Sequence, residues 1–230
     1  MTAWRNPLTL PDCVEVTTGE RPVGSVIWLH GLGADGHDFE PIVPELRLPG
    51  ELPLRFVFPH APVRPVTING GMAMRAWYDI VSLETDGRAD ADGVRESTAV
   101  LEALIARENE RGIAPEHIVI AGFSMGGAVA INTALNTSHK LAGLMALSTY
   151  LPLPGEVDNT MGSRDLPVFM AHGTFDPMLP MQLGKMSAER LTAAGFTIEW
   201  HEYPMPHAVC PEEIGDIRAW LLKVFGFVAQ

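Results

Sequence analysis

The chain has few of the features that would mark it as secreted, membrane-spanning or nucleic-acid-binding. It holds two cysteines, Cys13 and Cys210, too far apart for a C-x-x-C pair or a metal-ligand pattern. A disulfide between them is open on spacing alone, but so low a cysteine content suits a reduced, cytoplasmic protein better. No apolar run approaches the roughly 18 residues that a bilayer span needs. The N-terminal Met1-Thr2-Ala3-Trp4-Arg5 lacks an apolar core, so no signal peptide is expected there. Positive charge is scarce: 16 Lys and Arg stand against 28 Asp and Glu, a formal net charge of −12. That balance disfavours nucleic acid and anionic membrane surfaces as partners, because both repel it. There is no repeat, low-complexity segment or linker, and 230 residues suffice for one sizeable core. The expectation is a single domain over residues 1–230.

What is present is alternation. Short apolar runs at Ser25–His30, Leu54–Phe58, Ile118–Ala121, Gly143–Leu147 and Leu166–Ala171 read as buried strands. Between them lie helical patterns. Phe39, Ile42, Val43 and Leu46 give a short helix limited by Pro44; Val94, Thr98, Leu101 and Ile105 give a longer one stopping near Gly112. Met181–Ala194 and Pro211–Phe225 read as two more, and Val14–Thr17 and Phe196–Tyr203 as edge strands. Strand–helix alternation predicts an α/β fold: a mostly parallel sheet with helices on both faces. Ligands in such sheets gather beyond the carboxyl ends of the strands.

At one of those ends stands Gly122-Phe123-Ser124-Met125-Gly126, followed by Gly127. This is G-x-S-x-G between a strand and a helix, a spacing that exposes a serine on a sharp turn because the glycines let strand and helix approach closely. A phosphate-binding reading lacks its lysine, since no G-K-[ST] is present. Serine needs a base and the base needs an orienting acid. Among eight histidines, His207 lies in the rigid Pro204-Met205-Pro206 loop between the last strand and last helix. His30 and His172 each precede a glycine at a strand end, where turn packing is the commoner role. Asp176, in the loop after the strand ending at Ala171, falls between serine and histidine, as the order for this elbow requires; Asp158 and Asp165 compete but precede that strand. Oxyanion donors are expected from the backbone N–H groups of Met125 and of Leu32, in the His30-Gly31-Leu32-Gly33 loop. The stretch from Pro59 to about Asp90 reads as a lid or wall over the site; Trp77, Met72 and Met178 are the candidate substrate contacts, and Met74 and Met181 are further site-side methionines. No metal or cofactor is required.

Four blocks in order, His30-Gly31-Leu32-Gly33, Gly122–Gly127, His172-Gly173-x-x-Asp176-Pro177 and Tyr203-x-x-x-His207, resemble the small carboxylesterases related to acyl-protein thioesterases and lysophospholipases. Trp77-Tyr78-Asp79, Pro62-x-x-Pro65-Val66-Thr67 and Leu147–Tyr150 are similar to the bacterial carboxylesterase branch. The resemblance implies a minimal α/β hydrolase with no separate lid domain and with Ser124, Asp176 and His207 as its triad. It also implies hydrolysis of short to medium acyl esters, or alternatively of acyl-protein thioesters or lysophospholipids. A perhydrolase, a peptidase and a non-enzymatic binding module are the remaining alternatives. The implied partner is a small ester or thioester, with no stable membrane insertion and a homodimer open. One position departs from the pattern: relatives usually carry Gln where Met125 stands.

Overall fold

The structure is a computed structural model that describes residues 10–81 and 90–227. The N-terminal stretch read for a leader and the end of the Pro59–Asp90 segment lie outside them. In chain order the elements are β1 (Cys13–Thr17), β2 (Gly24–Leu29), α1 (Ile42–Glu45), β3 (Leu54–Pro59), β4 (Val63–Val66) and β5 (Met72–Arg75). They continue with α2 (Ala91–Glu110), β6 (Ile118–Phe123), α3 (Met125–Asn136), β7 (Gly143–Leu147) and β8 (Val168–Gly173). The last three are α4 (Met181–Ala193), β9 (Ile198–Tyr203) and α5 (Pro211–Val224).

Seven strands form one sheet in the order β1-β3-β2-β6-β7-β8-β9. Only β1 runs antiparallel, pairing with β3 from Cys13 opposite Pro59 to Thr17 opposite Arg55. The other neighbours are parallel, as connections through helices require. Every residue of β2, β6, β7 and β8 is buried, which explains why they read as unbroken apolar runs rather than as alternating ones.

The two faces nevertheless carry different cores. Ile27, Ile118, Ile120, Leu144 and Met170 pack with Val94 and Leu101 of α2, Val129 of α3 and Leu191 of α4. Their strand neighbours Val26, Trp28, Val119, Met145 and Phe169 pack with Val43 of α1 and Ile217 and Trp220 of α5. The period of two along each strand therefore divides the apolar side chains between two layers of helices. Asp90 starts α2 by accepting the Gly93 N–H at 3.0 Å. Gly112, at φ 91, follows its end. Both cysteines are free.

The stretch after Pro59 is more ordered than its sequence suggests. β4 and β5 make a separate antiparallel hairpin, Val63 opposite Arg75 and Val66 opposite Met72. The hairpin reverses through Gly70 and Gly71, at φ 65 and 78, a region that glycine enters without steric cost. Pro65 is tolerated because the hairpin has only two strands and both are edges.

One buried carboxyl group conflicts with the fold. Glu213, in the first turn of α5, is 0% exposed, and neither carboxylate oxygen has a hydrogen-bond partner among the described residues. Burial pushes its carboxyl from 4.5 up to about 8. The unfolded chain releases this proton near pH 4.5 while the folded chain holds it to about pH 8, so folding stability falls across that window and is greatest below it. Glu213→Gln removes the titration. The thermal midpoint of the variant is expected to rise relative to the parent between pH 4.5 and pH 8; a difference independent of pH would contradict this account.

Candidate active site

The site grows out of the β6–α3 corner. A Cβ on Gly122 would stand 2.3 Å from the backbone of Gly126, and one on Gly126 would stand 2.4 Å from the Leu29 carbonyl oxygen. Strand and helix approach more closely than any side chain permits, and the residue between them is forced into a rare conformation. Ser124 lies at φ 53, ψ −119, a strain of about 1–3 kcal/mol that persists only where surroundings impose it. They do so here: the Ser124 N–H donates to Leu147 O at 2.9 Å, and Thr149 Oγ1 donates to Ser124 O at 2.6 Å. The Ser124 side chain makes no capping bond to α3, although it occupies the N-cap position. Among the described residues its hydroxyl makes no hydrogen bond and is uncommitted.

Asp176 and His207 come from the loops after β8 and β9. His207 Nδ1 lies 2.6 Å from Asp176 Oδ2. The other oxygen, Asp176 Oδ1, accepts the N–H groups of Met178 at 2.9 Å and Leu179 at 2.8 Å. The carboxylate is thus fixed from one side and presents its second oxygen to the imidazole. A carboxylate accepts, so Nδ1 carries the ring proton and Nε2 keeps a free lone pair. The ring rests on Phe123 with centroids 4.6 Å apart. Ser124 and His207 line the same cavity without a direct hydrogen bond between them; such contacts commonly tighten only with substrate bound.

His172 takes a larger part than its turn position suggests. Its Nε2 lies 2.9 Å from Leu179 O and 3.4 Å from Asp176 Oδ2. A carbonyl can only accept, so Nε2 is protonated and braces the Asp176 loop from beneath. Burial pushes the His172 pKa down, keeping the ring neutral.

The two expected backbone donors face no competition. Among the described residues neither the Leu32 nor the Met125 N–H has an acceptor. In the Leu32 loop, His30 Nδ1 lies 2.7 Å from Gly31 O, while His30 Nε2 accepts the Ala61 N–H at 3.0 Å. Burial lowers the His30 pKa to about 4, so this tautomer stays neutral. The next N–H, Gly33, is held by Arg75 O at 2.9 Å. Met125 itself is 1% exposed, and its sulfur accepts the Trp77 N–H at 3.2 Å. The thioether is thus held in the core and offers no amide.

A cavity of 390 Å³ joins these parts. Leu32, Ile68, Met74, Ile80, Met178 and Leu179 give it apolar walls, and Asp38, Asn69 and Tyr150 bring polar groups to it. Met178 therefore lies where the sequence suggests. Trp77 and Met72 do not. Trp77 is buried in the core at 1% exposure, its indole N–H donating to His30 O at 2.9 Å, so it supports the Leu32 loop rather than touching substrate. Met72 is 65% exposed, in the exposed start of β5, and Met181 also lies off the cavity. Ile68, Asn69, Tyr150 and His172 were not among the candidates. Tyr150 could have been found, because it follows a strand's carboxyl end.

The phospholipase/carboxylesterase family model matches residues 11–225. The chain belongs to that family. It is 36% identical over 231 residues to acyl-protein thioesterase 1 of Cryptococcus neoformans var. neoformans serotype D, covering 91% of this chain and 96% of that one. It is 37% identical over 228 residues to acyl-protein thioesterase 1 of Gibberella zeae, covering 94% of each. These relatives are fungal, so the resemblance to a bacterial branch is not what they carry. Among solved structures, acyl-protein thioesterase 2 of Zea mays superposes with a TM-score of 0.83 at 27% identity, covering 94% of this chain and 100% of that one. As a family member the chain is a hydrolase of the α/β-hydrolase fold. Among the described residues no helix is long and apolar enough to cross a membrane, and no three His, Cys, Asp or Glu side chains converge as a metal site.

Asp176→Asn tests the orientation of His207. An amide accepts the Nδ1–H only if its oxygen faces the ring, and the oxygen is also drawn to the Met178 and Leu179 N–H groups. The substitution is expected to lower kcat for an activated ester by about 10³–10⁴-fold with KM little changed. A loss below tenfold would show that Asp176 does not hold the ring.

Proposed function

We propose that this chain hydrolyses acyl thioesters and oxygen esters through an acyl-enzyme on Ser124, with acyl thioesters its main substrates. The single observation that carries the reading is the uncommitted Ser124 hydroxyl at φ 53, between two acceptor-free N–H groups and a histidine already fixed by a carboxylate. In this reading His207 Nε2 takes the Ser124 proton as Oγ attacks the carbonyl carbon. The carbonyl oxygen, now negative, is received by the Leu32 and Met125 N–H groups. Such donors are worth about 3 kcal/mol each in a preorganised site, because they need no reorganisation as charge develops. Asp176 stabilises the imidazolium without taking its proton. His207 then protonates the leaving thiolate or alkoxide, and the thiol or alcohol departs. Water, deprotonated by the same nitrogen, attacks the acyl-enzyme; collapse releases the carboxylic acid and returns the proton to Ser124.

The preference for thioesters rests on the two fungal thioesterases and the maize thioesterase, together with a mostly apolar cavity suited to an acyl chain. The likeness of Trp77-Tyr78-Asp79 and Leu147–Tyr150 to bacterial carboxylesterases supports the ester half. Two free cysteines suit a cytoplasmic setting.

Purified protein should be assayed on S-palmitoyl peptide, p-nitrophenyl butyrate and lysophosphatidylcholine, with Ser124→Ala in parallel. The expected result is cleavage of thioester and ester, with kcat/KM highest for the thioester and loss of both in Ser124→Ala. A fluorophosphonate probe should label Ser124 alone. Cleavage of oxygen esters only would overturn the thioester assignment, and activity surviving in Ser124→Ala would overturn the nucleophile.

A further inference from the structure

Two of the chain's three tyrosines meet, and one of them, Tyr150, lines the cavity. Tyr150 follows a strained corner: Ser148 sits at φ 44, and its N–H donates to Ala171 O at 2.8 Å. Thr149 is bonded to the Ser124 carbonyl, and the Leu151 N–H donates to Ser187 Oγ at 2.8 Å. The residues on both sides of Tyr150 are therefore pinned, one of them to the serine itself. Between them Tyr150 lines the cavity, and its hydroxyl oxygen lies 2.9 Å from that of Tyr78. Tyr78 is 0% exposed, and Tyr150 is the only hydrogen-bond partner of its hydroxyl among the described residues.

A phenol has one proton to give. Burial pushes both phenols up, so each keeps its proton at neutral pH. If Tyr150 donated to Tyr78, the Tyr78 proton would be sealed in the core without an acceptor, at a cost of about 1–3 kcal/mol. If Tyr78 donates to Tyr150, that cost vanishes, and the Tyr150 proton remains for whatever fills the cavity. A water can take it in the free protein. A methylene chain that displaces the water gives nothing back, whereas a chain with an oxygen at that point does.

We infer that Tyr150 is a specificity-determining residue whose O–H, oriented by donation from Tyr78, selects acyl groups carrying an acceptor oxygen along the chain over all-methylene chains of the same length. The inference rests on Ser124 being the nucleophile and on the acyl group occupying the cavity.

The test compares p-nitrophenyl hexanoate with analogues in which one methylene at a time is replaced by an ether oxygen. Each kcat/KM is divided by the alkaline hydrolysis rate of the same ester to remove intrinsic reactivity. The native chain is expected to favour one analogue over hexanoate by about tenfold, and Tyr150→Phe to reduce that ratio to about one, as loss of one hydrogen bond implies. Tyr78→Phe leaves the Tyr150 donor in place and is expected to keep a preference of the same sign, weakened about threefold. The inference is overturned by equal normalised rates at every position, by a preference that survives Tyr150→Phe, or by a preference that grows in Tyr78→Phe. Ser124→Ala is run alongside: hydrolysis persisting there removes the underlying reading, whereas its loss there with no oxygen preference in the native chain removes only the role of Tyr150.

Discussion

The backbone contact between β6 and α3 is the constraint from which the candidate site follows. Because nothing larger than hydrogen fits at Gly122 and Gly126, the chain turns from strand to helix within one residue, and that residue is Ser124. Gly126 also lies against the Leu29 and His30 carbonyls, so the same contact sets the height of the β2 end and of the Leu32 loop beyond it. Gly127 faces Thr149, whose hydroxyl holds the serine carbonyl from the β7 side. A single tight corner thereby fixes the positions of three neighbouring strand ends relative to one hydroxyl. The strain is sustained by the buried sheet around it, where every residue of β2, β6 and β7 is covered.

Polar groups around this corner are divided so that each has one task. Asp176 spends one oxygen on its own loop and the other on His207. His172 steadies that loop through a neutral ring, and His30 does the same for the Leu32 loop. Neutrality matters most at His172, since a cation 3.4 Å from Asp176 would compete with the imidazolium that the proposed mechanism forms at His207. Burial, which disfavours the charged ring, is what keeps these two supporting histidines neutral.

Much of this was legible in the sequence because it is local. Continuous apolar runs announce buried parallel strands, and G-x-S-x-G between a run and a helix states its own steric reason. Sequence order and strand-end positions suffice to put Ser124, Asp176 and His207 on neighbouring loops; the structure places Ser124 and His207 on one cavity and Asp176 behind His207, bonded to its ring. Other features were hidden by their chemistry. Trp77 looks like a cavity wall because it is aromatic and lies on the site side of the chain, yet its indole is consumed by the His30 carbonyl. The β4–β5 hairpin is masked by Pro65 and by the paired glycines at its turn. The Tyr78–Tyr150 pair spans 72 residues, and no periodicity connects them. His172 differs from an ordinary turn histidine only in what lies 3.4 Å from it.

The β4–β5 hairpin stands outside the main sheet, and the segment around it supplies Ile68, Asn69, Met74 and Ile80 to the cavity. Because it shares no strand pairing with the main sheet, its shape can change without disturbing the register of the other strands. One hydrogen bond limits that freedom. The Arg75 carbonyl at the hairpin's end holds the Gly33 N–H, next to Leu32 in the loop expected to receive the oxyanion. A change that reshapes the hairpin therefore pulls on the Leu32 loop as well, so the form of the cavity wall and the setting of the backbone beside Ser124 are mechanically one adjustment.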